Sequence, residues 1–315
     1  MRTPVRMGAF AAGLAAVFAV SWGVGGVAGP APAPPAVEAT HGHGDGATAD
    51  AHDAPVPTGL QVAQDGYRLV PGTAALPVGD PAPFTFRITG PDGAAVTDFT
   101  PTHDKEMHLI AVRRDLTGFQ HVHPTMAADG TWSVPLAAPA AGDYRLFADF
   151  RPAGRADGLT LGVDVPAPGD YRPAPLPAPG RTATVDGYTV TLAGDLVPGG
   201  ESTLTLSVSK GGRPVTDLQP YLAAYGHLVA LRAGDLAYLH VHPDGAPGDG
   251  RTRPGPDITF RAEVPSAGAY RLFLDFQHEG TVRTAAFTAV AGGADPPPAP
   301  PAQPSPTHED DHSHG

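Results

Sequence analysis

Residues 96–124 read VTDFTPTHDKEMHLIAVRRDLTGFQHVHP, and residues 215–243 read VTDLQPYLAAYGHLVALRAGDLAYLHVHP. Val-Thr-Asp, a Pro, a single His, an apolar run, an Asp-Leu turn and His-Val-His-Pro recur in register. An interval of 119 residues separates His108 from His227, His121 from His240 and His123 from His242. Residues 108–112 and 119–123 are β-prone runs around Arg114, Asp115 and Gly118, so the spacing predicts a β-hairpin. With the turn centred between Arg114 and Asp115, His108 stands directly opposite His121. Opposed residues in an antiparallel pair have Cβ atoms about 5 Å apart. His121 and His123 share the same strand face at roughly 7 Å. One face thus gathers His108, His121 and His123, and the same arithmetic gathers His227, His240 and His242. Three imidazoles so placed can share one metal ion, because a His nitrogen binds zinc or copper at about 2 Å.

A structural reading stands beside the metal reading. The same faces carry Ile110, Val112 and Phe119, or Val229, Leu231 and Tyr238, which is the composition of a core face. A buried histidine there can simply hydrogen-bond to a neighbour, with Asp149 and Asp275 as candidates.

The segments around the repeat extend it. Asp186-Gly-Tyr188 answers Asp65-Gly-Tyr67, and Ala269-Tyr-Arg-Leu-Phe-Leu-Asp-Phe276 answers Asp143-Tyr-Arg-Leu-Phe-Ala-Asp-Phe150. Short alternating runs bounded by Gly, Pro and Asp turns, with no long helical period, predict an all-β chain. The expected fold is two tandem immunoglobulin-like antiparallel β-sandwich domains, residues 59–166 and 181–292. A Pro-rich linker, residues 167–180, joins them.

The ends read differently. Residues 1–29 carry Arg2 and Arg6 and then a long apolar run, a secretory signal or an uncleaved membrane anchor. The chain is therefore expected to be secreted or held in the cell envelope. Residues 30–58 and 293–315 are rich in Pro and His and are expected to be disordered. Six of the 14 histidines lie in these tails and the rest fall in or near the repeats, a distribution that favours metal.

Composition excludes several classes. The net charge of −12 argues against nucleic acid and anionic membrane surfaces. With Cys 0, disulfides, thiolate metal sites and a cysteine nucleophile are ruled out. No phosphate-binding Gly-rich loop, Gly-x-Ser-x-Gly elbow or HExxH helix occurs, so the expectation is a protein that is not an enzyme.

Further candidate ligands are Asp149 and Asp275, as a fourth ligand or as an acceptor orienting a ligating imidazole. His278 has no counterpart in the first copy. His103 and Met107 occur only in the first copy, and thioether with imidazole suits copper, Cu(I) above all.

The Met-His strand, His121-Val-His123, His240-Val-His242 and the His-rich ends together resemble bacterial secreted or periplasmic metal-handling β-sandwiches. The copper-resistance proteins and YtkA-like domains are the families concerned. The resemblance implies binding or delivery of a transition metal, copper ahead of zinc, without catalysis. The expected function is copper buffering, resistance or delivery. The alternative is a structural or interaction module of the cell envelope, with an envelope protein as partner and histidines that serve the fold alone.

Overall fold

The computed structural model describes residues 56–293, apart from His240. The expected signal segment and the bulk of both His-rich tails lie outside them. No helix among the described residues is long and apolar enough to cross a membrane.

The first sandwich comprises β1 (Ala63–Gln64), β2 (Tyr67–Pro71), β3 (Ala82–Thr89), β4 (Met107–Arg113), β5 (Gln120–Val122), β6 (Thr125–Met126), β7 (Trp132–Leu136), β8 (Gly142–Phe150) and β9 (Leu159–Ala167). One sheet runs β1-β2-β3-β7-β6 and the other β5-β4-β8-β9. The second sandwich comprises β10 (Thr182–Val185), β11 (Tyr188–Ala193), β12 (Gly200–Lys210), β13 (Arg213–Pro214), β14 (Gly226–Arg232), β15 (Val241–Pro243), β16 (Asp257–Val264), β17 (Gly268–His278) and β18 (Thr281–Ala291). Its sheets run β10-β11-β12-β16-β15, with β13 on β12, and β14-β17-β18. All ladders between these strands are antiparallel. The fold is the expected pair of immunoglobulin-like sandwiches.

Each sandwich closes over its own core. Phe84, Phe86, Trp132, Tyr144 and Phe150 fill the first, and Tyr188, Phe260, Tyr270, Phe276 and Phe287 the second. On β8 the alternation works as the sequence implies, since Tyr144, Leu146, Ala148 and Phe150 face inward. The other face of that sheet is also covered, which explains why every residue of β4 is buried. Ile110, Val112, Leu116 and Phe147 pack against Val229, Leu231, Leu236 and Phe273 of the other domain, forming a third core between the sandwiches. Phe119 stacks on Phe273 with centroids 4.0 Å apart, and Tyr238 meets Phe147 at 5.5 Å. Phe119 and Tyr238 hold equivalent places in the repeat, as do Phe147 and Phe273. The two domains therefore dock about an approximate two-fold axis, in the manner of an isologous dimer.

A strap reinforces this docking. Thr58 Oγ1 donates to the Tyr238 carbonyl at 2.6 Å, and the Tyr238 amide donates to the Thr58 carbonyl at 3.0 Å. Gly59 donates to the Thr160 carbonyl and Gly162 to the Gln61 carbonyl. The linker adds Leu176, which packs on the shared core, and the Ala174 amide, which donates to Asp115.

The hairpin register differs from the expected one by two residues. Ile110, not His108, lies opposite His121. The cause is the turn, which is longer than supposed and holds Leu116 at φ 65. A shift of two preserves the side-chain face, because strands alternate with period two. The Asp-Leu turn is also one residue out of step between the copies. Arg113 clamps Asp115, whereas Arg232 clamps Asp235. Gly234, at φ 100, absorbs the extra residue before Leu236 at φ 65.

The second copy departs further. A single bridge, Leu231 to Tyr238, continues the hairpin. Val241, His242 and Pro243 then pair with Ala262, Arg261 and Phe260 of β16, in the opposite sheet. The first copy crosses between sheets later, at Thr125. The β16 partners Phe260, Arg261 and Ala262 correspond in the repeat to Val134, Pro135 and Leu136 of β7, where Pro135 has no amide to donate.

Candidate metal centre

His108 alternates on β4 with Met107, Leu109 and Ala111, which enter the first core. Its ring therefore emerges on the face turned to the second domain. Asp149 is its direct ladder partner on β8. β5 brings His121 to the same face, and His123 follows two residues on.

Hydrogen bonds fix how these rings present themselves. His108 Nε2 donates to the Thr102 carbonyl at 2.8 Å. A carbonyl only accepts, so the neutral ring leaves Nδ1 bare. That Nδ1 lies 3.1 Å from His121 Nε2 and 3.2 Å from His123 Nε2. His121 Nδ1 in turn donates to Asp275 Oδ2 of the second domain at 2.9 Å, which leaves its Nε2 bare as well. Ligand nitrogens of His108, His121 and His123 all lie within 4.8 Å of one another. Bare nitrogens at such distances repel unless a proton or a cation lies between them. His123 alone can supply a proton, and an ion replacing it would take one lone pair from each ring. A ring whose outer nitrogen is tied to a carbonyl or carboxylate is the usual form of a metal-ligating histidine.

Burial keeps His108 and His123 neutral. It pushes His108 down to about 3, against the opposing Thr102 hydrogen bond and with a further push from His121. Burial and the neighbouring His121 and His108 put His123 at about 3 as well. Metal ligands must be deprotonated, and His108 and His123 are deprotonated across the physiological range.

Of the second trio, His227 and His242 lie among the described residues. His227 repeats the arrangement of His108, donating from Nε2 to the Tyr221 carbonyl at 2.8 Å. Its ring lies 6.2 Å from that of His121 and 5.3 Å from that of His103. It thus joins the first cluster across the domain boundary. His242, on β15, lines one cleft with His103 and His227, and His240 lies outside the described residues.

The other sequence candidates take different roles. Met107 points into the first core, because it alternates with His108, and offers no thioether to the cluster. Asp149 accepts from Thr160 at 3.4 Å, and burial raises it to about 6. The carboxylate that orients His121 is Asp275, from the other domain. His278 faces away from Asp275 and is held by Tyr188 at 2.7 Å and Asp217 at 3.1 Å. The sequence reading missed the cross-domain pairing. Its signal was the apolar character of the hairpin faces, which marks a surface covered by a second domain.

A cleft of about 570 Å³ opens onto the cluster, lined among others by His103, His108, His121, Asp149, His227 and Glu263. Solvent and ions reach the rings through it.

The family described as a domain of unknown function (DUF8832) matches residues 61–167 and again 183–293. The chain belongs to that family and carries its domain twice. No curated protein matches the chain. Among solved structures, similarity is found to FdeC, described as a broadly conserved Escherichia coli adhesin. It is 13% identical over 73% of this chain and 65% of that one, with a TM-score of 0.24. Invasin, a bacterial integrin-binding protein, is 13% identical over 73% of this chain and 41% of its own, at a TM-score of 0.21. Domains 4–9 of the surface layer protein SbsC are 11% identical over 71% and 31%, at 0.21. This chain spans less than two thirds of the length of each, and at these scores the likeness carries no functional argument.

Proposed function

We propose that this is an exported, non-catalytic protein that binds a transition-metal ion through His108, His121 and His123, for buffering, resistance or delivery outside the cytoplasm. One observation carries the reading. Three ring nitrogens converge within 4.8 Å, while Thr102 and Asp275 hold the outer nitrogens of two of those rings. With Met107 in the core, the donor set is imidazole alone, which suits Cu(II) and Zn(II) alike. The case for copper over zinc then rests on the resemblance to copper-handling sandwiches. The N-terminal Arg-flanked apolar run supports export.

A titration tests this in the full chain with the six tail histidines replaced by glutamine. Zinc and Cu(II) should each bind, and His121→Ala should weaken the tightest site by at least tenfold. Equal affinity in both proteins would sink the metal reading. A second reading, a structural latch, is favoured by one observation, that the His121–Asp275 bond crosses between domains. Under it, His121→Ala lowers the melting temperature of the metal-free protein and added metal has no effect on the parent.

A further inference from the structure

The ring spacings divide the cluster in two. A ring centroid sits about 3 Å from an ion bound at about 2 Å, so two rings sharing a tetrahedral ion stand about 5 Å apart. His108, His121 and His123 meet this at 5.4, 5.0 and 4.9 Å. Among the described residues, His103 and His227 do so as well, with centroids at 5.3 Å. The links between trio and pair are longer, 6.3 Å for His103–His108 and 6.2 Å for His121–His227.

We propose that His103 and His227 form a second ion position that bridges the two domains, so that the cleft is a two-ion centre. This extends the metal reading of the trio and rests on it. Two observations support the assignment. His227 Nε2 donates to the Tyr221 carbonyl, so its Nδ1 is bare in the neutral ring, as in His108. Both rings line the cleft, where Asp149 and Glu263 can offset the charge of a second cation. One domain supplies each ligand, so occupancy is possible only in the docked arrangement. Its ligand class is a divalent cation that accepts imidazole nitrogen, with water or nearby carboxylate completing the shell.

The test uses zinc alone, with the full chain whose six tail histidines are replaced by glutamine. Native mass spectrometry should count two ions per chain. His103→Leu should leave one, because Leu222 occupies the equivalent place at φ 52, close to the φ 50 of His103, so leucine fits that backbone. His227→Gln should also leave one, and melts of both variants confirm folding. Two ions retained in both variants would overturn the proposal. So would a single ion in the parent that only His121→Ala removes, which leaves the trio reading standing. A single ion lost equally on changing His103 or His121 would mean one shared position and would also overturn it. No ion in the parent would defeat both readings.

Discussion

His108 shows how little freedom the cluster has. One ring nitrogen is spent on the Thr102 carbonyl, and the other meets two further imidazoles. His121 is fixed in the same way by Asp275, and both of those side chains are buried. Replacing Asp275 by asparagine removes the charge that orients His121 while keeping the shape. Losing an outer partner of this kind weakens metal binding about 10–100-fold, and zinc titration of the variant checks it. Affinity within threefold of the parent would mean that Asp275 does not orient a ligand.

The neutral histidines also set a pH dependence. His108, His123 and His227 sit at about 3, 3 and 4 when folded, against an ordinary 6.5. Their folded values are depressed, so the unfolded chain takes up protons first as pH falls below 6.5. Stability is fully present above that pH and declines toward pH 4, each group adding a slope of up to about 1.4 kcal/mol per pH unit. Asp149, raised from 3.8 to about 6, acts in the opposite sense between those two values and offsets part of the loss. Denaturant midpoints of metal-free protein should therefore be lower at pH 5 than at pH 7.5. An unchanged or higher midpoint at pH 5 would contradict the burial of these rings.

At the scale of the elements, the strap and the interdomain stack hold the site together. A Cβ on Gly162 would meet the Gly59 carbonyl oxygen at 2.0 Å and the Arg145 guanidinium at 2.7 Å. Gly162→Ala must push the strap off β9 and with it the Thr58–Tyr238 hydrogen bonds. Proteolysis near residue 58 should become faster in that variant, and parent-like resistance would show that the strap is not held there. Phe273 is buried against Phe119 between the domains. Phe273→Ala should destabilise the chain by about 3–5 kcal/mol, read from chemical denaturation. A loss under 1 kcal/mol would mean that the interdomain core contributes little.

These elements also show what the sequence could disclose. Strand alternation placed His108, His121 and His123 on one face despite a register error of two, because parity alone decides the face. It placed Met107 on the same strand but could not make it a ligand, since adjacent strand residues face opposite ways. Ile110, Val112 and Phe119 announced a core face. Their partners sit more than a hundred residues away, and no local pattern encodes that docking. The sheet crossing of β15 was hidden for a similar reason. His-Val-His-Pro is identical in both copies, and the strand it meets differs, with Arg261 of β16 standing where β7 has Pro135.

For the whole molecule, duplication supplies the site. Each domain alone would leave Ile110, Val112 and Phe147, or Val229, Leu231 and Phe273, facing water. Docking about an approximate two-fold axis buries both sets and brings Asp275 of one repeat to His121 of the other. The asymmetry then arises from small differences, His103 against Leu222 and the earlier crossing at Val241. A single-domain ancestor with this face would be expected to dimerise through it.

The three-histidine site can be read by X-ray absorption at the zinc edge. The sample is the full chain with its six tail histidines replaced by glutamine, loaded with one equivalent of zinc. The expected spectrum has a first shell at about 2.0 Å dominated by nitrogen, with outer scattering from about three imidazole rings that falls by one ring in His123→Ala. A shell of oxygen without imidazole scattering, or a spectrum identical in parent and His123→Ala, would contradict it.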